Sequence, residues 1–321
     1  MKQNPLKIAY SHSLTFTLPM KLPTITIRFA PLIILIILAA CIPPTSTNEL
    51  IEFDGERAFK DLEYQVSLGP RVIGSDAHQK VREWIIETND ELGWETEYQS
   101  HFISGQEVHN IISKRGENSD SPWIIIGAHY DSRSNADNDP NVENHNQPVL
   151  GANDGASGVA VLMELARVIP KNISGRIWLV YFDAEDYGNL PLFSDWAVGS
   201  QAFVNSLEGE PDAVVVVDMI GDADLNIFME RYSNRELNEE IWEIAASLGY
   251  ENQFIPQPKW NIIDDHLPFV RAGIPAIDII DFDYPYWHTV EDTLDKVSPE
   301  SLQIVGDVVL TWLVSRTSQN P

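Results

Sequence analysis

The chain has 321 residues, a formal charge of −27 and a single cysteine. One cysteine excludes a disulfide scaffold, a zinc ribbon and an iron–sulfur centre, each of which needs several thiolates. An excess of 48 acidic over 21 basic residues excludes the basic surface that nucleic acid requires.

The charge is unevenly placed. Residues 1–40 hold Lys2, Lys7, Lys21 and Arg28 and no acid, so the remainder, with 17 bases and 48 acids, stands at −31. Residues 29–40 (FAPLIILIILAA) form an apolar run behind Arg28 that is short for a bilayer span and ends in small residues. The run leads into Leu38-Ala39-Ala40-Cys41, which resembles a bacterial lipobox, whose cysteine is lipidated and becomes the mature N-terminus. An uncleaved membrane anchor is the alternative. Residues 1–40 thus read as a lipoprotein signal peptide, with Met20 the start that gives it an ordinary length. Residues 41–54 read as the lipidated Cys41 and a Pro/Ser/Thr-rich tether, and residues 55–316 as one folded domain. The expected location is the cell envelope, on its exported side, with the lipid bilayer as a partner.

Helical and strand patterns then alternate. Residues 76–92 place Val81, Trp84, Ile85 and Leu92 on one helical face before Gly93. Residues 109–114 (HNIISK) and 123–128 (WIIIGA) are short apolar runs, as buried strands are. Residues 155–169 are helical, 176–182 and 213–217 strand-like, 264–272 helical and 275–280 strand-like. Ser298-Pro299 opens a last helix carrying Leu302, Val305, Val309 and Trp312 on one face. The alternation predicts a single three-layer α/β/α domain with a central mixed, largely parallel sheet. Ligands of such sheets sit beyond the carboxyl ends of the strands.

Acids and histidines gather at those ends. His129 and Asp131 close the second strand and share a face, so Asp131 can fix the tautomer of a ligating His129. Asp154 lies in GANDGASG and either ends a site loop or caps the following helix. Asp183, Glu185 and Asp186 follow residues 176–182, where three acids are costly unless compensated. Asp218 ends the buried run 214–217. His288 follows Trp287, with Asp292 behind it as its support, and Asp264-Asp265-His266 begin a helix. Imidazole and carboxylate ligands without thiolates suit a catalytic zinc with an open position, and an acid such as Glu185 beside it would transfer protons.

The order HYDS, GANDGASGVAVLMELAR, DAED, DMIG and WHTVEDT resembles the zinc aminopeptidase (M28-like) superfamily, which also contains the animal-type glutaminyl cyclases. The resemblance covers essentially residues 55–316. For an aminopeptidase it implies two zincs held by His129, Asp154, Asp186, Asp218 and His288, with Glu185 as general acid/base. The loop from Ser132-Arg133 to Val149, the DAEDYG segment, the insertion at 189–198 with Trp196, and IIDDHLPF and YWHT look more like bacterial glutaminyl cyclases. That implies one Zn2+ bound by Asp154, Asp186 and His288. It also implies an acid network of Glu185, Asp218 and Asp264, and a pocket walled by Trp287 and Trp196. His129 is then not a ligand. Peptides or proteins with an N-terminal glutamine are the implied substrates, cyclised to pyroglutamate with loss of ammonia. The chain departs from the animal enzymes in two places. Asp186 stands where they have Glu, which draws the metal toward the backbone by about one carbon–carbon bond. An apolar Ile263 precedes Asp264. His78, His101 and His109 have no partner in the motif order and read as surface or hydrogen-bonded residues, and His266 as support rather than ligand. The Asp/Asn-rich loop 134–146 lacks EF-hand spacing and reads as a polar loop rather than a calcium site.

Overall fold

In the computed structural model, the described residues are 15–20, 52–116, 122–190 and 195–318. The chain divides into two units, Met1–Asn48 and Glu49–Pro321. Only residues 15–20 of the first are described, and they carry no regular structure. The lipobox and Cys41 lie outside the described residues.

The second unit is built on a six-stranded sheet. Its strands are β1 (Glu95–Ile103), β2 (Gln106–Arg115), β3 (Trp123–His129), β4 (Arg176–Phe182), β5 (Ala213–Asp218) and, after a two-stranded ribbon, β8 (Ala276–Ile280). Their spatial order is β1-β2-β4-β3-β5-β8. The β4-β3-β5-β8 half is parallel, and β2 and β1 add antiparallel edges. The ribbon pairs β6 (Ile227–Met229) with β7 (Phe254–Pro258).

The central strands are apolar throughout because both faces are covered. Ile124, Ile126, Val215 and Val217 join the core formed with α1 (Gly55–Ser67), α2 (Asp76–Glu91), α3 (Ala156–Val168), α5 (Arg235–Ser247) and α7 (Pro299–Ser318). Ile125, Val214 and Val216 point the other way, toward Phe203 of α4 (Val198–Ser206) and Phe269 of α6 (Leu267–Arg271). Each such side chain contributes about 1.5–3 kcal/mol on burial. The expected α/β/α layering is therefore present. The helix foreseen over 264–272 is shorter: it begins at Leu267, and the DDH segment before it is loop. The strands β3, β4, β5 and β8 all run the same way, so their carboxyl ends form one edge, and the acidic segments emerge there.

Candidate active site

Asp154 is the hinge of the site. It ends the loop before α3, yet it does not cap that helix: Gly155 occupies the cap position and no side-chain capping bond is made. Gly155 has φ +93, and a Cβ there would lie 2.5 Å from the Asp131 carbonyl oxygen, so glycine is what lets this loop meet the end of β3. Asp292 fixes the Asp154 backbone, accepting from the N–H groups of Asn153 (2.8 Å) and Asp154 (3.1 Å) and from the Tyr284 hydroxyl (2.7 Å). It was expected to support His288. Its carboxylate holds Asp154 instead, because the loop carrying it folds back over the start of α3.

The two carboxylate oxygens of Asp154 face different histidines. Oδ1 lies 3.2 Å from His129 Nε2, and Oδ2 lies 3.6 Å from His288 Nε2. On the first side, His129 Nε2 is also 3.1 Å from Asp218 Oδ1. On the second side, His288 Nε2 is 2.9 Å from Asp186 Oδ1. Potential ligand atoms of His129, Asp154 and Asp218 lie within 4.8 Å of one another, and so do those of Asp154, Asp186 and His288.

The two sides differ in how their polar atoms are satisfied. Asp154 Oδ2, both oxygens of Asp186 and His288 Nε2 are buried and make no hydrogen bond of good geometry among the described residues, although His288 Nε2 lies 2.9 Å from Asp186 Oδ1; on the other side only His129 Nδ1 is in that state. Orphaned buried groups of this kind are expensive unless a ligand takes them up. Three neighbouring residues of these types, with their lone pairs unengaged, fit a divalent metal of the zinc class. Asp218 Oδ1, by contrast, accepts from the Met219 N–H (2.8 Å) as well as from His129.

Supporting contacts hold the ligands in place. Asp131 accepts from the N–H groups of Glu185 and Asp186 at 3.2 Å each, and lies 3.5 Å from His129 Nδ1, so it shapes the turn after β4 as well as facing the imidazole. Arg133 Nη1 donates to the carbonyls of Asp186 (3.0 Å) and Gly188 (2.9 Å), while its Nε and Nη2 grip Asp137. Asp137 in turn faces His288 Nδ1 at 3.6 Å. Arg71, fully buried, donates to the carbonyls of Tyr130 (3.0 Å), Leu150 (2.8 Å) and Gly151 (2.7 Å), tying the end of β3 to the Asp154 loop. Ala184, Met219 and His288 have φ of +58, +46 and +56. Three non-glycine residues in the left-handed region, each at or beside a site residue, store backbone strain of about 1–3 kcal/mol apiece.

Burial and neighbouring acids raise several carboxyls. Burial, then the charge of Asp264, holds Glu185 well above the usual carboxylate range. Burial, then Asp218, raises Asp264 to about 7, and burial, then Asp154, raises Asp186 to about 6. Burial also acts on Asp154, but His129 and His288 outweigh it and hold that carboxyl below its ordinary value. His129 is lifted well above an ordinary imidazole, since Asp218, Asp131 and Asp154 outweigh its burial. Behind Asp264, His266 lies between Glu230 (3.2 Å) and Asp278 (3.6 Å), which makes it part of a buried acid network.

Glu185, Asp154, Asp218, Asp264, Trp287 and Trp196 line one pocket of about 220 Å³. Trp287 lies against the His288 ring with 3.9 Å between centroids, and Trp196 stacks on it at 5.7 Å. Gly188 has no room for a side chain, since a Cβ would lie 2.1 Å from the Trp196 indole.

Not every acid at the strand ends belongs to the centre. Asp183 accepts from the His109 N–H (2.7 Å) and bonds His78 Nε2 (2.8 Å), which makes His78 a hydrogen-bonded core residue. In loop 134–146, Asp139 accepts from the N–H groups of Asn141 and Val290 and the Asn144 amide, so its oxygens face protein donors. Sequence reasoning missed Arg71, Asp278 and the approach of Asp137 to His288, 151 residues away.

The description of peptidase family M28 matches residues 110–313, which include every candidate ligand. The chain belongs to this family. The chain is 26% identical to the glutaminyl-peptide cyclotransferase of Drosophila melanogaster over 280 residues, 74% of this chain and 75% of that protein. The crystal structure of Porphyromonas gingivalis glutaminyl cyclase superposes with a TM-score of 0.78 at 30% identity, covering 82% of this chain and 98% of that one. A leucine aminopeptidase precursor from Bacteroides thetaiotaomicron matches with a TM-score of 0.78 at 31% identity, over 84% and 98%. A glutaminyl cyclase and a leucine aminopeptidase precursor are thus both named among solved structures with this fold.

Proposed function

We propose that the chain is a zinc-dependent glutaminyl-peptide cyclotransferase with one zinc, held by Asp154, Asp186 and His288. The observation that carries this is the contrast between the triad, whose facing atoms make no hydrogen bond of good geometry, and His129 Nε2 and Asp218, which hydrogen-bond to each other. A pocket of about 220 Å³ has room for one residue, and Glu185 faces into it. A zinc ion bound there supplies Lewis-acid polarisation of the substrate's side-chain carbonyl.

The chain's own groups do the rest. The pocket walls hold the glutamine side chain folded back on its α-amine, so the reaction is intramolecular. The amine nitrogen bonds to the side-chain carbonyl carbon, and the bond from that carbon to the amide nitrogen breaks. Glu185 takes a proton from the attacking amine and returns it to the departing nitrogen, which leaves as ammonia. Its raised affinity for protons suits both halves of the transfer. Burial and the charge of Asp264 hold Glu185 in that range, and Trp287 and Trp196 keep water out.

A two-zinc aminopeptidase is the second reading, supported by the convergence of His129, Asp154 and Asp218. It requires an attacking water, and the cyclase does not. Incubation of the purified chain with Gln-initiated and Leu-initiated peptides separates the two. The cyclase releases ammonia from the first and leaves its length intact. Free amino acid from either peptide would identify the aminopeptidase. The same proposal places the enzyme on the cell envelope through Cys41; partition into detergent, abolished by Cys41→Ser, tests it.

A further inference from the structure

A groove of about 680 Å³ lies beside the pocket and shares Trp196 and Ile263 with it. Ile263 is half exposed although apolar, and it sits where the two cavities join. The opposite wall is α4, which presents Gln201 and Asn205 one turn apart. Gln201 Nε2 stands 3.4 Å from Asn205 Oδ1, a long contact between exposed groups that leaves both amides with donors and acceptors to offer. Arg271 and Asp195 bring one charge of each sign.

We propose that this groove binds the residues that follow the N-terminal glutamine of a peptide substrate, a claim that rests on the cyclase reading above. The pocket holds one residue, so the rest of the peptide leaves through its mouth, and Trp196 and Ile263 wall both the mouth and the groove. A groove of about 680 Å³, roughly three times the volume of the pocket, has room for more than one residue of an extended chain. The paired amides on α4 read the peptide backbone, which every sequence shares. The apolar junction at Trp196 and Ile263 takes the second side chain. Balanced charge leaves acidic and basic peptides equally acceptable, so the groove selects for length and for an apolar second residue.

The test compares kcat/KM for glutamine amide, Gln-Gly-Ala-Ala amide and Gln-Leu-Ala-Ala amide in the wild type, in Gln201→Ala and in Asn205→Trp. Asn205 is exposed, so the tryptophan fills the groove without entering the core. Remote binding energy favours the Leu tetrapeptide over glutamine amide by about tenfold in the wild type. That ratio falls about threefold in Gln201→Ala, as the loss of one hydrogen bond predicts, and approaches one in Asn205→Trp. A wild-type ratio near one, or a ratio kept in both variants, overturns the groove assignment. Failure to cyclise all three substrates overturns the cyclase reading and the groove assignment with it.

Discussion

Two half-sites share Asp154, use the same ligand types and are equally buried, yet they differ in what surrounds the donor atoms. At His129 and Asp218 the protein bonds its own polar groups to one another. At Asp186 and His288 the groups face each other at 2.9 Å without a hydrogen bond of good geometry. The proposal of a single zinc in this chain rests on that difference and not on ligand identity.

The contrast breaks most severely at the orphaned side. Asp186→Ala or His288→Ala should abolish zinc binding and reduce turnover to background, as atomic absorption and an ammonia-release assay would show; retained zinc would mean that the triad is misassigned. Next in size is Glu185→Gln, expected to cost about 10²- to 10⁴-fold in kcat with zinc content unchanged, since proton transfer and not metal binding is lost. On the satisfied side, His129→Gln should leave zinc in place and cost at most about tenfold; collapse of activity together with loss of metal would show that His129 is a ligand.

The smallest effect is on pH dependence. Burial holds Asp186 at about 6 and Asp264 and Asp292 at about 7, above the ordinary value of 3.8. Between about pH 4 and pH 7 the folded, metal-free chain keeps protons that the unfolded chain gives up, so its stability falls as pH rises through that window. Zinc ligation removes Asp186 from that count. The gap in Tm between zinc-loaded and chelator-treated protein should therefore widen by a few degrees from about pH 5 to about pH 8. A gap that stays constant or narrows would mean that Asp186 is ionised without the metal.

Much of this was legible in the sequence where periodicity is strong. The runs WIIIGA and AVVVV are strands because both sheet faces are buried, and residues 176–182 form β4 with the boundaries expected. The edge strand β1 was missed because its residues alternate between exposed and half-buried and carry no apolar signal. At the site, motif order yielded His129, Asp154, Asp186, Asp218 and His288, the residues of the two groups that meet at Asp154. It misplaced the role of Asp292, since a hydrogen bond to a backbone 138 residues away leaves no trace in local spacing. Arg71 and the approach of Asp137 to His288 were invisible for the same reason: they are set by how loops meet at the sheet edge.

Zinc stoichiometry tests the asymmetry of the half-sites most directly. The full chain, saturated with zinc, freed of excess metal and assayed for metal and turnover together, should retain one ion per chain with full cyclisation of a Gln-initiated peptide. Two tightly held ions per chain, with the second required for turnover, would contradict it.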